Sequence, residues 1–558
     1  MNEGPKEAQS ATCDVVSPGR RRALQSAALG LGTLAAPWIL TRGAHAAASL
    51  PVVETRSGKI QGEEIDGVEV FKAIPYGDST SGANRFLPPR PVQPWSGVKP
   101  TRAFGASAPQ PSDSPGPTTA WYSTIMPVSE DCLFLNVFAP AERRSSAQRP
   151  VMVWLHGGGW WGGSGTAPGF DGTRLARDGD VVVVTLNHRL NAFGYLYFGK
   201  ADPRFADSGN AGILDLVAAL HWVKDNITLF GGNPRNVTIF GQSGGAAKVA
   251  ALMDMPAAKG LFHRAIVESC SGGTRLDGPE EAAKQTELLA TALGMSRPDP
   301  VALQAVPMQT LIGAMRAVKD PYRPVLDGRS FLQDPFEPRA TPLAAAVPTL
   351  IGNAATEMTL YLAADPRNFS IGAPEVHQRL SRLFKLDDAN TDRIIATYTE
   401  ALGNPQPSDV LDAIGTDYVF RRNTLRIAAL QSEQAPVYSY LFDWETPVMG
   451  GVLHSPHTVE VPFVFGTYAA ASGLVGNGRE LGELSRSVMA AWAAFAHSGT
   501  PDTPGLPSWP QYRADSRSVM LLNTQSRIAT DPGGVARAAL DHIPPYEYNV
   551  DRGLLVHS

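Results

Sequence analysis

Ser243 has the sequence surroundings of a reactive serine. It lies in GQSGG (residues 241–245), between the apolar run Val237–Phe240 and the small-residue stretch Ala246–Met253, which has helical character. A sharp turn from a strand into a helix exposes a hydroxyl at the helix N-terminus, where backbone N–H groups favour developing negative charge. Glycines suit this turn because neighbouring chains approach it closely. The pattern predicts a nucleophile for acyl transfer.

A glycine loop supplies a second part of this chemistry. The sequence HGGG, His156–Gly159, follows directly on the apolar run Val151–Leu155. Because glycines carry no side chains, their backbone N–H groups can approach an oxygen that becomes negatively charged during acyl transfer. The N–H of Gly244 would be a third donor. We therefore expect an oxyanion-binding site beside Ser243.

A serine nucleophile also needs a base and an acid that orients the base. In an α/β-hydrolase these follow in the order serine, acid, histidine. Glu357 follows the strand-like run Val347–Gly352, at the sheet end where such an acid belongs. Two histidines, His454 and His457, are candidates for the base, and their spacing alone does not choose between them.

The elements that must position these residues read as a doubly wound α/β sheet with mostly parallel strands. Continuous apolar runs of this kind suit strands covered on both faces. The runs are Val151–Gly157, Val181–Asn187, Val237–Gly241, Arg264–Ser269 and Pro348–Asn353. Helical stripes lie at Leu216, Leu220, Val223 and Ile227, and at Val488, Trp492 and Phe495. Residues from about 280 to 430 are more helical and are predicted to form an insertion over one end of the sheet.

Residues 1–46 differ from the rest of the chain. Arg20–Arg22 precede the weakly apolar stretch 27–40, which ends near Ala44-His45-Ala46. This is the layout of a cleavable export signal of the twin-arginine type. The alternative, a membrane anchor, is disfavoured because the stretch is short and contains Gly, Thr and Pro. We predict a periplasmic or secreted protein without a stable membrane anchor, and a single domain over residues 47–558.

Composition excludes several other classes of protein. The net charge of −5 is mildly acidic and no basic stripe occurs, so nothing indicates nucleic-acid binding. Beyond Cys13 in the signal, only Cys132 and Cys270 remain, and we interpret both as small buried apolar residues without a disulfide. The histidines show no metal-ligand spacing. No cofactor and no metal are expected.

The chain resembles the type B carboxylesterases, the family that includes the cholinesterases. The resemblance lies in the HGGG loop and in Ser129–Pro140, Asn187–Leu196, Gly209–Gly245 and the stretch WAAFAHSGTP (residues 492–501). It implies an α/β-hydrolase fold with a helical insertion over the active site. It also implies that the chain hydrolyses carboxylic esters, with a small-molecule ester as substrate and without a cofactor.

The resemblance favours one of the two histidines. In this family the catalytic histidine stands six residues before the first Phe of an FVFG-like segment, with a glutamate three residues after it. His457, Glu460 and Phe463 fit this spacing. His457 is therefore the predicted base, and His454 is predicted to form part of the pocket wall.

Other roles follow from the same resemblance. Glu357 takes the acid role, and Gly158 and Gly159 join Gly244 in the oxyanion hole. Ser269 falls where the family keeps a hydroxyl behind the triad. The implied reaction has two steps, acylation of the serine and then attack by water.

Departures from the family pattern bear on the substrate. Gln242 stands before the serine where glutamate is usual, which weakens the expectation of a cationic substrate. Cys132 occupies a position that often forms a disulfide, but its expected partner region has no cysteine. Trp160 and Trp161 follow the glycine loop and either wall an apolar pocket or pack in the core.

Two other functions stay open at this point. One is hydrolysis of amides, carbamates or polyester material by the same residues. The other is a cholinesterase-like binding protein without turnover; such relatives usually lack the serine or the histidine, and both are present here.

Overall fold

The computed structural model of the chain describes residues 50–112, 115–124, 126–142, 148–199, 202–318, 322–403, 405–546 and 552–555. The strands are β1 (Val52–Thr55), β2 (Gly58–Gln61), β3 (Glu63–Ile65), β4 (Val68–Pro75), β5 (Val98–Pro100), β6 (Phe134–Pro140), β7 (Arg149–Leu155), β8 (Val182–Leu186), β9 (Gly232–Gln242), β10 (Arg264–Glu268), β11 (Thr349–Ala354), β12 (Val437–Phe442), β13 (Ser518–Leu522) and β14 (Arg527–Thr530). The predicted export signal lies outside the described residues.

The helices of the described chain lie between and after these strands, singly or in groups. They are α1 (Thr173–Gly179), α2 (Asn191–Tyr195), α3 (Ala211–Asn226), α4 (Gly244–Met253), α5 (Pro279–Ala292), α6 (Pro300–Ala305), α7 (Met308–Met315), α8 (Thr359–Leu362), α9 (Ala373–Phe384), α10 (Asp388–Leu402), α11 (Pro407–Thr416), α12 (Arg422–Ser432), α13 (Val461–Phe465), α14 (Ser472–Val475), α15 (Leu481–Ser498), α16 (Gly534–Arg537) and α17 (Arg552–Leu555).

One large sheet organises the fold. Its strand order is β14-β13-β12-β11-β10-β9-β7-β8-β6-β4-β3. The strands from β13 through β8 in this order pair in parallel, whereas the outer strands at both edges pair antiparallel. The predicted apolar runs form β7, β8, β9, β10 and β11. This confirms the predicted α/β-hydrolase fold with a mostly parallel central sheet, and adds antiparallel edges that were not predicted.

The central strands are buried because helices cover both faces of the sheet. On β7, Val153 faces one apolar cluster and Trp154 faces the other, as the alternation of side chains along a strand requires. The predicted stripe of α3, including Leu216, packs into the first cluster. The stripe of α15, including Trp492, packs into the second. Both faces of the sheet are therefore core, which explains the continuous apolar runs.

The region predicted to be a mainly helical insertion is interrupted by a sheet strand. Helices α5 to α7 precede β11, and α8 to α12 follow it. Strand β11 lies between β10 and β12 in the sheet, so the region is two helical stretches joined through the centre of the fold. The second stretch contains one π-helical turn, Asp417–Arg421. Among the described residues, no helix has the length and apolar character needed to cross a membrane.

Candidate active site

Ser243 occupies a strained turn between β9 and α4. Its backbone has φ 57° and ψ −122°, outside the regions that side-chain-bearing residues normally adopt. A Cβ on Gly245 would lie 2.0 Å from Leu155 O, and one on Gly241 would lie 2.6 Å from the same atom. The flanking glycines therefore let β7 approach the turn. The arrangement holds the serine at the start of α4, as its sequence pattern predicts.

The glycine loop after β7 lies directly against this turn. Gly158 and Gly159 have positive φ values of 87° and 60°. A Cβ on Gly244 would lie only 2.3 Å from Gly159 N, so the two backbones are in contact. Within the described residues, the N–H groups of Gly158 and Gly159 donate to no protein acceptor. They are available to an oxygen at the serine, as is the first N–H of α4.

The predicted acid and the predicted base meet at the same end of the sheet. Glu357 follows β11, and His457 lies on the segment between β12 and α13. His457 Nδ1 donates to Glu357 Oε2 over 2.5 Å, and Ala354 N donates to the other carboxylate oxygen over 2.8 Å. Both side chains are buried. Because Nδ1 carries the proton, Nε2 of the ring is left as the acceptor.

Neighbouring side chains fix the plane of the imidazole. The ring centroid of His457 lies 4.8 Å from that of Phe420 and 5.3 Å from that of Tyr361. Gln242 Nε2 is 3.3 Å from both ring nitrogens. Within the described chain, Ser243 Oγ makes no hydrogen bond to His457, although both line one cavity. Such bonds are often long until substrate binds.

The second histidine candidate is elsewhere. The ring of His454 is 39% exposed, and its Nδ1 lies 3.4 Å from Glu445 Oε1. It does not line the cavity. The prediction that His454 forms the pocket wall is therefore wrong. The backbone of His454 has a positive φ of 49°. Its side chain lies beside Glu445 at the surface and not in the cavity wall.

A pair of buried carboxyl groups lies behind the acid. Ser269 Oγ donates to Glu460 Oε1 over 3.2 Å. Burial raises the pKa of Glu460, and the nearby charges of Glu357 and Glu268 raise it further. Burial also raises the pKa of Glu268 to about 8, although a hydrogen bond from Trp492 Nε1 acts in the opposite direction and lowers it. Glu268 was not among the predicted site residues; the only sequence signal for it is an acidic residue at the end of an apolar strand.

The cavity beside these residues is large, with a volume of about 1380 Å³ and a lining of both polar and apolar side chains. Its aromatic lining residues are Trp121, Tyr122, Trp154, Trp160, Trp161, Phe170, Tyr361, Phe420 and Tyr546. Residues of α7, α8 and the π-helical turn also line it, so both helical stretches contribute to the wall. Within the described chain, Arg316 is the one lining residue with a permanently charged side chain, and no lining residue is acidic.

The two tryptophans after the glycine loop differ in their contacts. Trp160 is buried and packs edge-on against Tyr195, with ring centroids 5.3 Å apart. Trp161 is half-buried and stacks on Tyr322 at 6.3 Å. Both also line the cavity. Packing and pocket wall are thus not exclusive roles for these residues.

Comparison with known proteins places this geometry in a family. The sequence model of the Carboxylesterase family matches residues 49–536. The chain belongs to the carboxylesterase family. It is 35% identical to the para-nitrobenzyl esterase of Bacillus subtilis (strain 168) over 505 residues, which cover 88% of this chain and 98% of that protein.

Solved structures of esterases are also similar to this chain. A carboxylesterase of Geobacillus stearothermophilus superimposes with a TM-score of 0.77 at 38% identity, covering 88% of this chain and 99% of the other. An esterase of Clostridium hathewayi, described as able to hydrolyse aliphatic aromatic polyesters, gives a TM-score of 0.76 at 32% identity over 89% of this chain and 99% of that one. The protein is therefore a carboxylic ester hydrolase with the α/β-hydrolase fold.

Both cysteines of the carboxylesterase domain are buried and free. Burial raises the thiol pKa of each, that of Cys270 to about 12. Neither thiol is ionised near neutral pH, so neither has the character of a nucleophile. Among the described residues, no group of three or more His, Cys, Asp or Glu side chains is placed to hold a metal ion.

Proposed function

We propose that Ser243, His457 and Glu357 are the catalytic triad of this carboxylesterase. The observation that carries the proposal is the 2.5 Å hydrogen bond between Glu357 and His457, made by a buried pair at the wall of the cavity that Ser243 lines. The three residues follow β9, β11 and β12. Because the carboxyl ends of parallel strands meet at one edge, distant parts of the chain supply one site.

The chemistry assigned to the triad is acyl transfer in two halves. As Ser243 Oγ attacks the ester carbonyl carbon, its proton passes to His457 Nε2. The tetrahedral adduct then collapses, and the alcohol leaves with that proton. In the second half, water gives a proton to His457 and attacks the acyl carbon, releasing the acid and restoring the serine hydroxyl. Glu357 keeps Nδ1 protonated and stabilises the imidazolium.

The oxyanion of each tetrahedral adduct is assigned to three backbone donors, the N–H groups of Gly158, Gly159 and Gly244. Support comes from the contact between the glycine loop and the start of α4 and from the absence of protein acceptors for Gly158 and Gly159 among the described residues. Removing one such donor typically costs about 10²–10³ in kcat. The loop is therefore proposed to contribute a substantial part of the rate enhancement.

The substrate is proposed to be a bulky ester, neutral or anionic, with an aromatic or long apolar group. The cavity wall is aromatic, has no acidic side chain in the described chain and has a cationic one, Arg316. Gln242, the residue before the nucleophile, carries no charge. A cationic ester would therefore find no partner charge there. The size of the cavity also supports activity on pieces of aromatic polyester, as described for the Clostridium hathewayi enzyme.

Residues 1–46 are proposed to be a twin-arginine export signal, with residues 47–558 forming the mature enzyme. The arginine run, the short apolar stretch and the small residues at 44 and 46 support this proposal. N-terminal sequencing of the enzyme from the periplasm of an expressing cell should begin near residue 47. An uncleaved chain retained in the cytoplasm would contradict it.

The test of the triad begins with Ser243→Ala. Hydrolysis of p-nitrophenyl acetate and butyrate should fall about 10⁴-fold or more, because no nucleophile remains to form the acyl-enzyme. Ser123→Ala is the matched control, since Ser123 lines the same cavity and its hydroxyl, within the described residues, donates to Thr119 O over 2.8 Å. It should keep near wild-type activity. Retained turnover in a folded Ser243→Ala enzyme, with the fold checked by circular dichroism, would refute the assignment.

The same assay resolves the substrate class. Matched p-nitrophenyl esters with a neutral aromatic, an anionic or a cationic acyl group should rank with the cationic ester lowest in kcat/KM. The corresponding amide and carbamate measure the alternative activities. A cationic ester as the preferred substrate would contradict the proposed role of the cavity charge.

A further inference from the structure

Lys248 is a fully buried lysine in the second turn of α4, five residues after the serine. Its Nζ donates to the backbone oxygens of His156 and Gly159, over 2.9 and 2.8 Å. These two carbonyls are at the two ends of the HGGG loop. The amino group also lies 5.5 Å from the ring centroid of Trp160, over the ring face. In the described chain it forms no ion pair. A lysine buried without a carboxylate is rare because burial opposes its charge.

Among the described residues, no negatively charged side chain near Lys248 compensates its positive charge. Within the described chain, the titratable side chains that interact with it are His156 and His188, whose rings stack at 5.0 Å. Burial and the charge of Lys248 lower the pKa of His156 to about 3 and that of His188 well below its ordinary value. Both imidazoles are therefore neutral in the range where the lysine titrates.

The acidic residues of the elements that pack on α4 have other partners. On α3, Asp215 pairs with Arg189 over 2.6 Å, and the more distant Asp225 pairs with Arg56 over 2.9 Å. On β10, Glu268 accepts from Trp492. Burial lowers the pKa of Lys248 to about 7. The ammonium form thus gives way to the amine as pH rises through neutrality.

The hydrogen bonds of the loop show what such a charge could do. His156 Nδ1 donates to Gly157 O over 2.9 Å, and Gly158 O accepts from Gly162 N over 3.0 Å. These carbonyls belong to the peptide groups whose N–H atoms are those of Gly158 and Gly159. A hydrogen bond to a carbonyl polarises its peptide group and strengthens the N–H as a donor. Lys248 donates hydrogen bonds to the carbonyl oxygens of His156 and Gly159, which belong to the peptide groups that flank this pair.

We propose that Lys248 is a positioning residue for ester hydrolysis, which clamps both ends of the HGGG loop and holds a positive charge behind the oxyanion hole. The inference rests on the proposed function of the glycine donors. A neutral amine still has two N–H groups for the two carbonyls, so deprotonation preserves the clamp and removes only the charge. The clamp and the charge should both stabilise the transition state more than the bound ester, because the carbonyl oxygen of the substrate is negative in the transition state.

The first test is Lys248→Met, which keeps the length of the side chain and removes both hydrogen bonds and charge. We expect kcat at pH 6 to fall by about 10- to 100-fold with KM changed by less than about threefold, since the lost interaction belongs to the transition state. Affinity for a trifluoromethyl ketone, which forms an oxyanion adduct with the serine, should fall in proportion. Lys72→Met is the control. It breaks a 2.9 Å ion pair with Glu63 at the sheet edge and should leave kcat unchanged.

The pH profile separates a catalytic contribution from a merely structural one. The ratio of wild-type to Lys248→Met kcat should be greatest at pH 6 and should decline as pH rises through about 7, because the wild type then loses its charge. Any ionisation of the base affects both enzymes and cancels in the ratio. Wild-type kcat in a folded Lys248→Met enzyme at pH 6 would overturn the proposal, and so would a ratio that rises with pH.

A measurement on the wild type covers the case in which Lys248→Met fails to fold. Lysine side-chain NMR signals are titrated before and after reaction with a phosphonylating reagent, whose oxygen occupies the oxyanion hole. By linkage, an anion stabilised by Lys248 must raise the pKa of Lys248 in return. An unchanged lysine pKa would overturn the proposal.

The tests also distinguish this inference from the proposed triad. Activity in Ser243→Ala would refute the triad. An inactive Ser243→Ala enzyme together with a fully active Lys248→Met enzyme would refute the role of Lys248 alone.

Discussion

The serine side and the histidine side of this active site are assembled in different ways. On the serine side, the Ser243 turn and the HGGG loop touch through backbone atoms, with Gly244 and Gly159 in contact. On the histidine side, two side chains 100 residues apart in sequence join through one hydrogen bond, Glu357 to His457. The first needs residues without side chains, whereas the second needs particular functional groups. The serine side should therefore lose activity when a side chain is added to a glycine. The histidine side should lose activity when a functional group is removed.

Removing the imidazole should have the largest effect. His457→Gln retains a polar side chain but lacks the base, and kcat/KM for p-nitrophenyl butyrate should fall about 10⁴-fold or more. His454→Gln is its matched control three residues away, where the ring is partly exposed and pairs with Glu445. We expect its kcat/KM to stay within about twofold of wild type, because the side chain of His454 does not line the cavity. The reverse ranking would exchange the roles of the two histidines.

Adding one methyl group on the serine side should have a smaller but clear effect. In Gly244→Ala the new Cβ would lie 2.3 Å from Gly159 N, so the glycine loop must shift away from the turn. We expect kcat to fall by about 10²–10³, the cost of a lost oxyanion donor. Gly278→Ala, at the start of α5, is the control because its Cβ would meet no atom within 4 Å. Equal kcat values for the two variants would show that the backbone contact is not needed for catalysis.

This difference also explains which parts of the site the sequence could predict. The serine side depends on close backbone packing, and that requirement appears locally as GQSGG and HGGG. The buried parallel strands likewise appear as continuous apolar runs. The histidine side has no such local signal, because Glu357 is an ordinary residue type after a strand. The choice of His457 over His454 came from the family spacing, and the residues alone left both open.

The errors and omissions have physical causes too. His454 was assigned to the pocket wall, but a positive φ at this residue accompanies a side chain directed to Glu445 at the surface. The run Pro348–Asn353 was predicted as a strand, but it lies inside the range predicted as a helical insertion, and as β11 it divides that range into two helical stretches. Lys248 was overlooked in a run of small residues, where a single charge is normally an exposed one. Its burial depends on two backbone carbonyls from a loop about 90 residues earlier in the chain.

Covalent trapping tests the central claim most directly, that one serine is the nucleophile of this carboxylesterase. The enzyme is inactivated with a p-nitrophenyl phosphonate, the nitrophenolate released is counted, and the modified peptide is located by mass spectrometry. We expect one nitrophenolate per chain and the adduct on Ser243, with no adduct in Ser243→Ala. Inactivation with the phosphonyl group on any other residue would contradict it.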